Sequence, residues 1–73
     1  MFMKPVSVQS AISIAGTIIS LGCQHAFFIV EHDVCGWHAI TFEELVEMRA
    51  DGYCGDPAAV VMPGDGVDPL ILT

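Results

Sequence analysis

Positive charge is almost absent from this 73-residue sequence, which contains two Lys or Arg residues against nine Asp or Glu residues. The formal net charge is −7. Nucleic acids and anionic membranes are bound largely through Lys and Arg side chains, so we expect neither as a partner. The nine acids form no long run, which also argues against mimicry of DNA.

Cysteines are few and odd in number, since the chain contains three. An odd count does not form a disulfide framework, and we expect a cytoplasmic protein whose cysteines act as small apolar residues. Cys and His are also the usual zinc ligands. The candidate zinc ligands are Cys23, His25, His32, Cys35, His38 and Cys54. Their spacings match no standard zinc finger, so we expect core cysteines and turn histidines instead.

Charge is also scarce in the first part of the chain, where Lys4 is the one charged residue of residues 1–30. Residues 31–73 carry all nine acids and one base, Arg49, which makes a formal −8. The uncharged residues 11–30 raise the alternative of a transmembrane helix. Gln24 and His25 within this stretch, and its weak positive flank, lead us to expect no membrane span.

Apolar residues are abundant instead, at 53% of the sequence with a mean hydropathy of +0.63. A chain of this length is one domain at most and lies near the lower limit for an independent core. A domain of this size has too much surface relative to its volume to bury all of these apolar side chains. We therefore expect a homodimer, or burial against another chain.

The order of apolar and polar residues predicts an α+β fold. Residues 8–21 segregate into a polar and an apolar face at helical spacing, and Gly22 marks the end of that helix. A short buried strand is predicted over residues 26–30, because this run is apolar, aromatic and β-branched, and a second short strand over residues 37–40. The second helix is predicted over residues 42–50.

The start of the second helix is marked by Thr41 and Glu44, which have the spacing of a capping box. Further short strands are predicted over residues 6–8, 58–62 and 70–72. The side chains expected to face the core from the two helices are Val8, Ala11, Ile12, Ile14, Ala15, Ile18, Ile19, Leu21, Phe42, Leu45, Val46 and Met48.

This order of elements resembles a CBS motif, the repeat of cystathionine-β-synthase-type regulatory domains. The family's opening V-x-V is similar to residues 6–8, its x-P-V-V-D strand to residues 28–31, and its closing G-x-x-T-x-x-D-L to residues 38–45. The resemblance implies a CBS-like β-α-β-β-α unit over residues 1–52. Residues 53–73 would be a short C-terminal β extension or the start of a second motif.

The resemblance also implies a ligand site. In the family, the Thr and the acid of the closing motif bind the ribose of an adenosine-type nucleotide. Thr41 and Glu44 would do so here, with His38 beside them, and the ligand would be adenosine, AMP or S-adenosylmethionine. The sequence departs from the motif at His38, which replaces a glycine, at Glu44, which replaces an aspartate, and at Phe28, which replaces a proline. A capping box explains Thr41 and Glu44 without any ligand, and this alternative stays open.

The function implied by the resemblance is that of a non-catalytic regulatory or dimerisation module. CBS motifs normally pack in pairs, so the partner would be a second copy or another CBS-type chain. A Cys–His nucleophile here lacks an orienting acid and an oxyanion site, and we expect no enzymatic activity. The alternative function is that of a small acidic interaction factor that inhibits a partner protein and binds no small ligand.

Overall fold

The computed structural model describes residues 6–32, 35–64 and 68–73. Within these residues, four strands form one antiparallel sheet and two helices lie on its opposite faces. The elements are α1 (Val8–Ser20), β1 (Phe27–His32), β2 (Gly36–Ile40), α2 (Phe42–Ala50), β3 (Ala59–Met62) and β4 (Leu70–Leu72). The predicted α+β class is confirmed.

Helix α1 begins at Val8 because the preceding serine caps it. The Ser7 hydroxyl accepts a hydrogen bond from the Ser10 N–H at 3.1 Å, which satisfies a first-turn donor that has no partner within the helix. The chain leaves the helix at Gly22, whose φ of 111° lies in the region that favours glycine. The predicted helix is confirmed. The predicted strand over residues 6–8 is wrong, because Ser7 and Val8 start the helix and Val6 forms only a parallel bridge to Gly36.

The sheet order is β2-β1-β3-β4, so β1 and β3 are its inner strands. Ile29 of β1 lies opposite Ala39 on one side and Ala59 on the other. Residues 53–73 therefore supply two strands to the same sheet that the earlier residues form. Strand β1 also continues past its predicted end at Val30, because Glu31 and His32 pair with the start of β2.

The larger core lies between α1 and the sheet. Ala11, Ala15 and Ile19 form a buried stripe that recurs every fourth residue, and it packs on Phe27, Ile29, Ala59 and Val61. The two alanines let the helix backbone approach the sheet closely. The buried stripe is narrower than predicted, since Ile14, Ile18 and Leu21 are exposed on its flanks.

The smaller core lies on the other face, under α2. Leu45 is the buried residue of this helix, and it packs with Val30 and Ile40. Met48 is partly buried against the same cluster, as predicted. Phe42 and Val46 were expected to face the core, but they are 62% and 49% exposed. The reason is that α2 contacts the sheet over β1 and β2 and, within the described part of the chain, does not extend over β3 and β4.

A tyrosine joins the segment after α2 to β1. Strand β3 pairs with β1 only as far as Ile29, whose carbonyl accepts a bond from the Ala58 N–H at 2.8 Å. Two residues further along the same edge, the Glu31 carbonyl accepts a bond from the Tyr53 hydroxyl at 2.9 Å. Tyr53 thus satisfies a backbone acceptor beyond the end of the β1–β3 ladder.

Candidate functional site

The start of α2 forms the predicted capping box. The Thr41 hydroxyl oxygen accepts a hydrogen bond from the Glu44 N–H at 3.3 Å. In return, the Glu44 Oε1 accepts bonds from the Thr41 N–H at 3.2 Å and from the Thr41 hydroxyl at 3.1 Å. The two side chains that the resemblance assigns to a ribose are therefore bonded to each other and to the backbone.

A cavity of about 320 Å³ opens beside this cap. Its lining residues are His25, Ala26, Thr41, Phe42 and Glu43. Of the three residues that the resemblance implies, Thr41 lines the cavity, whereas Glu44 and His38 do not. The lining contains no Lys or Arg, and His25 is its one basic side chain. The cavity therefore suits an uncharged nucleoside better than a phosphate.

His38 lies instead in the middle of β2, beside a second histidine. Its ring and the ring of His32 are 6.1 Å apart between centroids and meet edge to face at 87°. Val30 lies directly opposite His38, and Gly36 lies opposite His32, so the two histidines are diagonal neighbours on one face of the hairpin. Both are exposed. His32 and His38 are thus strand residues, and the prediction of turn histidines is wrong for them.

The other zinc candidates lie apart from this pair. Cys23 follows α1 and packs half-buried against the larger core, whereas Cys35 and Cys54 are exposed, so only Cys23 fits the prediction of core cysteines. The Cys54 thiol contacts the Gly52 carbonyl oxygen at 3.4 Å. Among residues 6–32, 35–64 and 68–73, no three His, Cys, Asp or Glu side chains are grouped so that they could hold a metal ion.

An uncovered apolar surface lies on the α2 side of the sheet. Strand alternation and register place five apolar residues there, which we call the outer apolar face: Phe28, Val60, Met62, Leu70 and Leu72. Phe28, Val60 and Leu72 lie in one line across three strands, and Leu70 lies opposite Met62. Leu70 and Leu72 are 53% and 54% exposed. The exposed ring of Phe42 extends this face, with its centroid 6.0 Å from that of Phe28.

Sequence reasoning did not locate this surface, although a signal was present. Strands β3 and β4 read A-V-V-M and L-I-L, with no polar residue at alternate positions. A strand that is apolar on both sides is typical of a sheet covered on both faces. Here α1 covers β3 on one face only.

Comparison of the chain with protein-family models, with curated proteins and with solved structures gave no match. The resemblance to a CBS motif therefore stays a prediction from the residues themselves. Neither helix in the described part of the chain is long and apolar enough to cross a membrane.

Proposed function

We propose that the chain is a non-catalytic association module, similar to a CBS motif, that forms a homodimer in the cytoplasm through its outer apolar face. The observation that carries this proposal is the exposure of Leu70 and Leu72 beside the half-buried Phe28, Val60 and Met62. Removing apolar surface from water contributes about 25 cal/mol per Å², so covering this face stabilises a complex. Contiguous exposed apolar surfaces are typical of sites where another protein docks.

A second copy is a suitable occupant because a twofold contact sets this face against the identical apolar face of another chain. Strand β4 is the last strand in the sheet order. It contributes Leu70 and Leu72 to the face and contains no charged or polar side chain. A twofold axis parallel to the sheet would set the two outer apolar faces against each other and cover Leu70 and Leu72 of both copies.

Electrostatics permits this arrangement in spite of the acidic composition. Each copy carries a formal −7, which opposes self-association in general. The five residues of the outer apolar face include no charged side chain, and α2 directs Glu43 and Glu47 to solvent. The five residues of this face therefore bring no carboxylate of their own into the contact.

The similarity to a CBS motif is supported by the order of elements, in which a bridge at Val6, a helix, a hairpin and a capped helix follow one another. An adenosine-type ligand would occupy the cavity beside Thr41. It would have to replace the bonds between Thr41 and Glu44, and the outer apolar face is exposed without it. We therefore propose that dimer formation requires no ligand.

The test is the mass of the protein in solution, measured by light scattering on a size-exclusion column at micromolar concentration. The parent chain should give twice its 7.8 kDa mass. Leu72→Glu should give a monomer, because it places a carboxylate at the centre of the contact. Leu21→Glu is the matched control, since Leu21 is 84% exposed near the end of α1 and away from this face, and it should remain a dimer.

A monomeric parent would contradict the proposal. It would favour the second candidate, the acidic interaction factor, which is supported by the exposed carboxylates Glu43, Glu44 and Glu47 along one helix. Circular dichroism of each variant would separate loss of pairing from loss of the fold.

A further inference from the structure

The His32–His38 pair is a cluster that the proposed association does not use. The two rings come together through hairpin register, not through proximity in sequence. Gly36, the residue opposite His32, has no side chain, so the imidazole of His38 is the cross-strand group that His32 meets on this face. Because both residues are exposed, both rings are open to ions in solution.

The spacing of the rings suits a shared metal ion. Zinc lies about 2.0–2.1 Å from a histidine nitrogen, which places the ion roughly 3.2 Å from the ring centroid. Two rings that bind one ion at a tetrahedral angle then have centroids about 5.2 Å apart, and two rings on opposite sides of the ion about 6.4 Å apart. The observed separation of 6.1 Å lies between these values. Both side chains are exposed, and binding one ion requires them to turn until a nitrogen of each ring faces it.

The charge of the surrounding chain favours a cation. Residues 31–73 contain nine acids and one base, a formal −8, and both histidines lie in this part. A field of this sign raises the local concentration of divalent cations. Imidazole is a preferred ligand of zinc, copper and nickel, whereas calcium and magnesium prefer oxygen ligands.

We propose that His32 and His38 form a surface site for a divalent transition-metal ion, with two imidazole ligands and the remaining coordination positions open to water. Such an ion would cross-link β1 to β2 near the end of the hairpin. The proposal is independent of the homodimer, because neither histidine belongs to the outer apolar face.

The experiment is a titration of the full chain with Zn²⁺, followed by calorimetry and by NMR of the imidazole ring protons. Exposed thiols also bind zinc, so the background carries Cys35→Ser and Cys54→Ser. We expect one ion per chain and selective shifts of the His32 and His38 ring signals. His32→Ala and His38→Ala should each weaken binding by about tenfold or more. His25→Ala is the matched control, since His25 is exposed but lies at the cavity beside Thr41, and it should leave affinity unchanged.

The proposal would be overturned by no saturable binding, by equal weakening in His25→Ala, or by full affinity in His32→Ala or His38→Ala. Metal-free thermal unfolding of each variant identifies any loss of fold. Binding that occurs only with Cys35 and Cys54 intact would assign the ion to the thiols and would also contradict the site.

Discussion

Replacing Thr41 by alanine separates a structural cap from a ligand site. Thr41→Ala removes the hydroxyl that accepts the Glu44 N–H at 3.3 Å and donates to Glu44 Oε1 at 3.1 Å. The bond from the backbone N–H of residue 41 to Glu44 Oε1 is retained. Loss of an N-cap side chain typically costs about 0.5–2 kcal/mol. Because these bonds are solvent-exposed, we expect a value near 1 kcal/mol.

That loss is measurable without unfolding the protein. A domain of this size has a free energy of unfolding of roughly 4–11 kcal/mol, at about 0.05–0.15 kcal/mol per residue. A loss of 1 kcal/mol should lower the melting temperature by about 4–8 °C. Thr41→Ser is the matched control, because it keeps the hydroxyl, and it should restore most of the parent melting temperature.

The assay is thermal unfolding of the three proteins with and without adenosine, AMP or S-adenosylmethionine. A ligand that binds the folded state at about 100 times its dissociation constant adds about 2.7 kcal/mol. We expect no increase in any of them, because the Thr41 hydroxyl and the Glu44 carboxylate already satisfy each other. A rise in the parent and in Thr41→Ser that disappears in Thr41→Ala would refute this reasoning and support a nucleoside site.

Two further predictions concern contacts that hold α2 and the segment after it to the sheet. Leu45→Ala should lower the free energy of unfolding, measured by chemical denaturation, by about 2–5 kcal/mol, because Leu45 is the buried residue of α2 and the smaller core has few members. Val46→Ala is the exposed control, and an equally small loss in both variants would mean that α2 is not held by this contact. Tyr53→Phe should lower the free energy of unfolding by about 0.5–1.5 kcal/mol through loss of the hydrogen bond to the Glu31 carbonyl. Amide hydrogen exchange should become faster at the end of β1, and an unchanged rate there would contradict the role given to this hydroxyl.

Local chemistry made much of the secondary structure predictable. The start of α2 followed from Thr41 and Glu44, whose cap involves atoms only three residues apart in sequence. The end of α1 followed in the same way from Gly22. Interactions of this range form within one segment and do not depend on where the rest of the chain lies.

The acidic and apolar character of the chain is visible in its composition, and its α+β class could be predicted from the order of apolar and polar residues. Which apolar residues are covered depends instead on how the helices and strands pack in three dimensions. Phe42 and Val46 have core-like side chains, but α2 lies over β1 and β2, so both remain exposed. The exposed positions of Leu70 and Leu72 depend on the insertion of β3 beside β1, which places β4 at the edge.

For the proposed metal site as well, the sequence supplied candidate residues and the tertiary structure selected among them. The sequence presented six Cys and His candidates without a spacing that selects among them. Hairpin register brings His32 to His38 and leaves Cys23 and Cys54 elsewhere. Register is set by the burial of Val30 and Ile29 on opposite faces of β1, and a slip of one residue would move every side chain of the strand to the other face. Contacts between residues distant in sequence therefore depend on the packing of the whole sheet, which no local pattern encodes.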